Sequence, residues 1–354
     1  MPQVWDLFCR VIDNFGDIGV CWRLACDLAE RGETVRLWTD NASPLRWMAP
    51  HGCARVTVLP WEQAQSQADC GDIVIEAFAC ELPQEFVSRM AARSRAPVWI
   101  NLDYLTAQDF AQRCHGLPSP QFVGAGTGLT KWFFQPGFVP GTGGLIRERN
   151  LESRQSRFDM HAWRAGNGIE VQPGERCVSL FCYDNAALPA LLNALAQTPT
   201  VVLATPGAAT ELIAQFLGPT LKRGALRGVA LPSVSQEDFD HLLWSCDLNF
   251  VRGEDSWVRA QWADAPFVWQ AYVQDDAAHH AKLDAFADLY LARAPSPLAE
   301  RVRRLWLHWN QRTMGPLVLP DLRAWRAHQR RWSHALREQS DLTSELLRFT
   351  NERR

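Results

Sequence analysis

Two short runs in this chain hold residues dense enough in functional groups to do chemistry. The first is Asp13-Asn14-Phe15-Gly16-Asp17-Ile18-Gly19 and the second is Arg252-Gly253-Glu254-Asp255-Ser256. In the first, two carboxylates stand four residues apart, and Gly16 and Gly19 let a backbone come close to a ligand. A helix opening there would present N–H groups that can hold an anion. One reading is purely structural: Asp17 caps the helix and Asp13 stabilises the turn before it. The other is chemical. Two carboxylates at a phosphate site repel phosphate, so the pair suits a cationic partner or a general base. In the second run Arg252 supplies positive charge and Glu254 can accept hydrogen bonds from a sugar. Asp255 or Ser256 can cap a helix whose N-terminus receives a diphosphate. A capping box without a ligand is the alternative there. Phe181-Cys182-Tyr183 is a third candidate, since its aromatic rings can flank a nucleobase or sugar, or simply pack in a core.

The elements around these runs decide where they sit. Residues 4–12 read as a buried strand, 13–17 as a turn, and 18–30 as a helix closed by Gly32. Residues 34–39 read as a second strand. Strand, tight loop, helix and strand make one βαβ unit and imply a parallel sheet. Short buried strands at 72–76 and 97–102 continue the pattern. Gly and Pro crowd residues 116–145, which read as a long irregular surface segment near the end of a first domain. A second α/β pattern starts at Arg176. Its strands are 177–183, 201–204, 229–231, 248–251 and 266–269, and its helices are 238–244 and 257–263, with 298–311 and 321–352 helical beyond. The expected division is 1–150, 151–320, and a terminal helix over 321–354 that packs across both domains. All three candidate runs then fall at carboxyl ends of strands, where doubly wound domains bind ligands.

Composition narrows the function. The chain has 354 residues, 47% hydrophobic and 21% charged, with a net charge of −3. That is a globular, two-domain composition with no overall field to recruit nucleic acid or an anionic membrane. Ten cysteines occur without a C-x-x-C pair, which implies neither a zinc site nor a disulfide framework and fits a reducing cytoplasm. No basic, apolar secretion signal opens the chain, and no 18-residue apolar stretch spans a membrane. Gly124-Ala125-Gly126-Thr127-Gly128 lacks both the spacing and the strand–helix setting of a dinucleotide loop, and there is no P-loop. His279-His280 reads as a solvated helix face. Residues 293–354 hold thirteen arginines against six acids, with Trp325 and Trp332 seven apart as on one helical face. Packing across the domains is the reading taken, over nucleic-acid binding.

Several stretches together resemble one family. VWDLFCRVIDNFGDIGVCWRLACDLAERG, NLDYLTAQDF, CHGLPSPQ, PGFVPGTGGLIRE and FVRGEDSWVRAQWADAPFVWQAY are similar to the elongation factor P arginine rhamnosyltransferases, from Val4 to about Tyr290. The resemblance implies an α/β GT-B glycosyltransferase fold, two Rossmann-like domains facing a central cleft. The first would bind the acceptor protein and carry the catalytic aspartates; the second would bind the nucleotide sugar. It implies an inverting enzyme that moves L-rhamnose from dTDP-β-L-rhamnose to an arginine in the N-terminal domain of elongation factor P. The modified factor would rescue ribosomes stalled on proline runs. By the same resemblance, Asp13, Asp17 and Glu254 are the catalytic residues. Asn14, Phe15, Gly16, Phe181, Tyr183, Gln236, Phe239, Arg252, Asp255 and Ser256 would serve the donor. No metal and no cofactor besides the donor are implied, and neither nucleic acid nor membrane is a partner.

The residues themselves agree on one point. A guanidinium is protonated at neutral pH and is a poor nucleophile. An enzyme that alkylates it must grip it with carboxylates and draw off a proton. A loop with paired aspartates can do both. Two competing functions remain. A GT-B enzyme with another acceptor, lipid or sugar, would need an apolar or basic membrane-facing patch, and no such amphipathic helix is legible. A non-catalytic binder of RNA or a translation factor would tolerate loss of Asp17.

Overall fold

A computed structural model describes residues 2–12, 15–66, 69–274 and 277–354. The chain divides into two compact units, Met1–Leu151 with Arg337–Arg354, and Glu152–Leu336.

In the first unit the strands are β1 (Val4–Cys9), β2 (Thr34–Thr39), β3 (Val56–Pro60), β4 (Ile73–Ala77), β5 (Val98–Leu102), β6 (Pro118–Pro120) and β7 (Thr130–Phe134). They lie in the order β3-β2-β1-β4-β5-β7-β6, all parallel except β6. β4 and β5 are buried along their whole length, as central strands covered on both faces must be. The chain leaves β1 toward β2 on one side, and β4 pairs on the other. The carboxyl ends of β1 and β4 therefore flank the point where the winding reverses, the crevice in which doubly wound sheets bind ligands.

Helix Gly16–Glu30 packs on this sheet through Ile18, Cys21, Leu24, Ala25 and Leu28, the 3.6-residue spacing of a core-facing stripe. Its far side is covered too, by Leu342, Leu346 and Phe349 of helix Leu342–Asn351. Charges caught under this cover must be paired. Arg23 meets Glu148 at 3.2 Å, and Arg31 reaches both Asp27 and Asp341 at 2.7 Å.

The second unit holds β8 (Arg176–Leu180), β9 (Thr200–Ala204), β10 (Lys222–Arg223), β11 (Leu226–Ala230), β12 (Leu248–Arg252) and β13 (Phe267–Gln270), in the order β10-β11-β9-β8-β12-β13. All neighbours are parallel except β10 with β11. Here the winding reverses between β8 and β12. Helix Leu322–Arg337 belongs to this unit: Trp325 donates from Nε1 to the Tyr290 hydroxyl at 2.9 Å, and Trp332 to Gln261 at 2.7 Å. The last two helices thus divide, Leu322–Arg337 with the second unit and Leu342–Asn351 with the first.

Several expectations need correction. The first strand stops at Cys9 rather than at residue 12, and the helix begins at Gly16. Residues 116–145 are not wholly irregular, because β6 and β7 lie there and extend the first sheet. His279 is buried, and its Nδ1 accepts from the Gln274 N–H at 3.1 Å, so the histidine pair is no solvated face. Among the described residues, no helix is long and apolar enough to cross a membrane.

Candidate active site

At the first switch point, the loop after β1 climbs into helix Gly16–Glu30. Asp13 and Asn14 lie outside the described residues. Phe15 is the residue before the helix and makes no side-chain cap; its ring, partly exposed, meets Trp47 edge-on at 5.1 Å. Gly16 is the first helical residue. Asp17 follows, only 2% exposed. It does not cap the helix as the structural reading supposed. One carboxylate oxygen, Oδ2, accepts the Ile12 N–H at 2.8 Å and so ties the loop to the helix. The other, Oδ1, receives the Tyr104 hydroxyl at 3.4 Å. Standing in the first turn of the helix, Asp17 feels the positive end of the dipole, which favours its ionised form. One turn on, the Cys21 thiol is pushed well up, by burial first, then by Cys9 and by the Asp17 charge.

Tyr104 follows β5, and its ring stacks on Phe78 with centroids 4.4 Å apart and planes 18° from parallel. Phe78 ends β4. It and Ala79 both have left-handed backbones, φ 59° and 54°. Two such residues in a row, neither a glycine, cost on the order of 1–3 kcal/mol each, and strain of this kind gathers at functional sites. The Phe78 N–H donating to the Leu102 carbonyl at 2.7 Å holds the kink in place. Neither Phe78 nor Tyr104 was singled out from the sequence. Tyr104 stood within the NLDYLTAQDF motif, but its tie to Asp17 spans 87 residues.

At the second switch point, β8 continues into Phe181 and Tyr183, which alternate to one side while Cys182 turns into the core. The Arg252 guanidinium, at the end of neighbouring β12, lies over both rings, 4.4 Å from the Phe181 centroid and 4.3 Å from that of Tyr183. Among the described residues no carboxylate pairs with it. Burial pushes the Cys182 thiol up to about 12, outweighing the Arg252 cation that pulls it down.

Gly253 has φ 62°, a left-handed turn that a side chain would strain. Its carbonyl accepts the Trp269 indole N–H at 2.9 Å. Glu254, half-buried, is the residue before helix Asp255–Trp262 and makes no side-chain cap. The capping expected of Ser256 takes another form: its hydroxyl turns back to the Arg252 main chain, accepting the N–H at 3.0 Å and donating to the carbonyl. This fixes the strand-to-helix turn. Gln236 opens helix Gln236–Trp244 and donates from its amide to Asp255 at 3.4 Å, while Phe239 packs edge-on against Phe181 at 5.6 Å. Arg252, Phe181, Tyr183, Phe239, Gln236, Asp255 and Ser256 thus form one cluster.

Beneath that cluster, Asp240 is fully buried and takes both Nε and a terminal nitrogen of Arg259, at 2.7 and 2.8 Å, with Arg154 at 3.1 Å. The pair joins helix Gln236–Trp244 to helix Asp255–Trp262 and sets their register.

Comparison with known proteins bears on this geometry. Residues 5–351 match the family model for the elongation factor P (EF-P) rhamnosyltransferase EarP. Protein-arginine rhamnosyltransferase of Pseudomonas aeruginosa is 42% identical over 98% of both chains, and that of Pseudomonas putida is 42% identical over 99% of both. A solved EarP structure, described as the basis for EarP-mediated arginine glycosylation of translation elongation factor EF-P, is 31% identical with TM-score 0.67 over 99% of both chains. The calicheamicin glycosyltransferase CalG4, 15% identical with TM-score 0.52 over 99% of both chains, shares the fold alone. Two Rossmann-like units of this kind are the GT-B fold, and the chain belongs to the EarP family of glycosyltransferases, the elongation factor P rhamnosyltransferases.

Proposed function

We propose that this enzyme transfers L-rhamnose from dTDP-β-L-rhamnose to an arginine in the N-terminal domain of elongation factor P, with inversion, and so activates the factor for ribosomes stalled on polyproline. The observation that carries the reading is the Arg252 guanidinium. Two aromatic rings hold it, among the described residues no carboxylate pairs with it, and a helix N-terminus starts three residues later. Such a group suits a diphosphate, whose oxygens can meet the planar fork of donors. Phe181, Tyr183, Phe239 and Gln236 then border the nucleoside, Asp255 and Ser256 shape the phosphate turn, and Glu254 orients the sugar. Asn14, Phe15 and Gly16 belong to the donor set that the family resemblance implies.

Asp13 clamps the acceptor guanidinium, and Asp17 removes a proton from its attacking nitrogen. That nitrogen forms the bond to the sugar's anomeric carbon as the bond to the diphosphate oxygen breaks. dTDP departs with its charge met by Arg252. The charge is handled by side chains and a helix end, so the reaction is proposed to need no metal. Turnover abolished by EDTA and restored by magnesium would refute that part. The acceptor, a translation factor, places the enzyme in the cytoplasm, and binding it calls on neither nucleic acid nor membrane.

The test is intact-mass and fragment spectrometry of folded elongation factor P after incubation with the enzyme and dTDP-β-L-rhamnose. One deoxyhexose increment on a single arginine is expected. A folded enzyme that leaves the factor unmodified overturns the proposal.

A further inference from the structure

We infer that Trp269 is a positioning residue for Glu254: its indole N–H fixes the Gly253 carbonyl, and with it the direction in which the glutamate leaves the strand-to-helix turn. The inference rests on the sugar-orienting role proposed above for Glu254. Trp269 is buried on β13, where an indole N–H needs a partner. It donates to the Gly253 carbonyl at 2.9 Å, an ordinary N–H···O length. Arg252 is held separately. It ends β12 in register with Gln270, and the Ser256 hydroxyl fixes its main chain. Glu254 lies beyond Gly253, whose φ of 62° favours glycine. A planar trans peptide joins the Gly253 carbonyl to the Glu254 nitrogen, so fixing one end sets the direction of the other.

The indole can brace the turn only if it is itself held, and it is. Its ring stacks on Trp257 of helix Asp255–Trp262, with centroids 3.7 Å apart and planes 5° from parallel, and Phe286 stands edge-on to both. Asn310 grips the main chain on either side of Gln270: its Nδ2 donates to the Trp269 carbonyl at 2.9 Å, and its Oδ1 accepts the Ala271 N–H at 3.0 Å. Between those grips the Gln270 Oε1 accepts the Tyr183 N–H at 3.0 Å. One clamped strand end thus reaches the turns that follow both β12 and β8. A phenylalanine at 269 would serve the stack; only the N–H reaches the turn.

The experiment uses the full-length enzyme with dTDP-β-L-rhamnose and folded elongation factor P. Four proteins are compared: wild type, Trp269→Phe, Glu254→Gln and the double variant. The readouts are single-turnover transfer at saturating donor and dTDP affinity by calorimetry. dTDP has no sugar, so its affinity reports the Arg252 side of the turn and transfer reports the Glu254 side. Trp269→Phe is expected to slow transfer about three- to tenfold, the scale of one neutral hydrogen bond, with dTDP affinity within about twofold of wild type. In the Glu254→Gln background the same change is expected to cost less than about twofold, because residues acting through one another are not additive. Should Trp269→Phe fail to fold, benzothienylalanine introduced at position 269 replaces only the N–H with sulfur and keeps the ring, and the same split is expected. Wild-type transfer without the N–H overturns the inference. So does an equal loss of transfer and dTDP affinity, which would make Trp269 a general support of the fold, or a full loss on top of Glu254→Gln. A wild-type enzyme that transfers no rhamnose overturns the functional reading and this inference with it; an active wild type matched by the variant lacking the N–H overturns this inference alone.

Discussion

Replacing Arg252 probes the donor site most directly. Its guanidinium lies 4.4 and 4.3 Å from two ring centroids and has no carboxylate partner among the described residues, so its donor-bearing edge is available to an anion. A hydrogen bond to a charged group contributes about 1.5–3 kcal/mol, and a bidentate contact supplies two. Discounting for partial exposure, Arg252→Ala should lose about 3–4 kcal/mol of donor binding, or on the order of 10²–10³ in Kd. Arg252→Lys keeps the charge but loses the fork and the flat packing over the rings, so about 10- to 30-fold is expected. Calorimetric titration with dTDP measures both variants. Thymidine, which has no phosphate, is the control and should bind either variant about as weakly as it binds wild type. Arg252→Ala binding dTDP within about threefold of wild type would refute the reasoning. Equal losses for thymidine and dTDP would show that the arginine shapes the aromatic slot instead of meeting the diphosphate.

Asp17→Asn keeps the side chain's size and its link to the Ile12 N–H, so single-turnover transfer should fall about 10²–10⁴-fold with dTDP affinity intact; near-normal transfer would move the base to Asp13 or Glu254. Asp240→Ala leaves Arg259 buried without its partner and should cost about 3–5 kcal/mol in urea unfolding followed by tryptophan fluorescence; an unchanged midpoint would contradict the register role. His115 is held below its ordinary value, chiefly by burial, and its Nδ1 accepts the Gln135 N–H. A depressed folded value means the unfolded chain binds the proton first, so stability is full above the ordinary histidine value and falls as pH drops through it toward the folded value. The urea midpoint of wild type should therefore fall between about pH 7.5 and about pH 5.5, and less so in His115→Gln. His328, also depressed by burial, keeps titrating in both proteins, and equal slopes would rule His115 out.

What could be read from the sequence follows how each segment is buried. β4, β5, β9 and β12 are short apolar runs hidden on both faces, and such runs announce themselves. β3 and β7 are half-buried, and β6 is Pro-Ser-Pro at a sheet edge, where proline is tolerated because nothing pairs beyond it. None of the three carries a periodic signal, so the first sheet was read short. The acidic and basic loops were legible because glycines, carboxylates and an arginine cluster locally. Their partners were not. Tyr104 reaches Asp17, and Arg252 reaches Phe181 and Tyr183, only because β4 alone stands between β1 and β5 and because β8 lies next to β12. That order is a property of the winding, and no local pattern encodes it.

The two switch points share one architecture, and the second adds a cation, Arg252, beside its carboxylates, which is an argument about division of labour. In each, a strand ends and a helix N-terminus opens after it with its partial positive charge. In the second unit Arg252 adds to that field, which suits the proposed diphosphate. In the first, Asp17 sits inside the field, and its buried carboxylate opposes an anion's approach to the same N–H groups. A phosphate there would meet like charge at low dielectric, where repulsion is strong. A guanidinium meets the reverse, a carboxylate in the first turn of a helix, which fits the proposed roles of gripping it and accepting its proton. On the proposed reading the two turns take different ligands because only the second offers a guanidinium, Arg252, at its strand end.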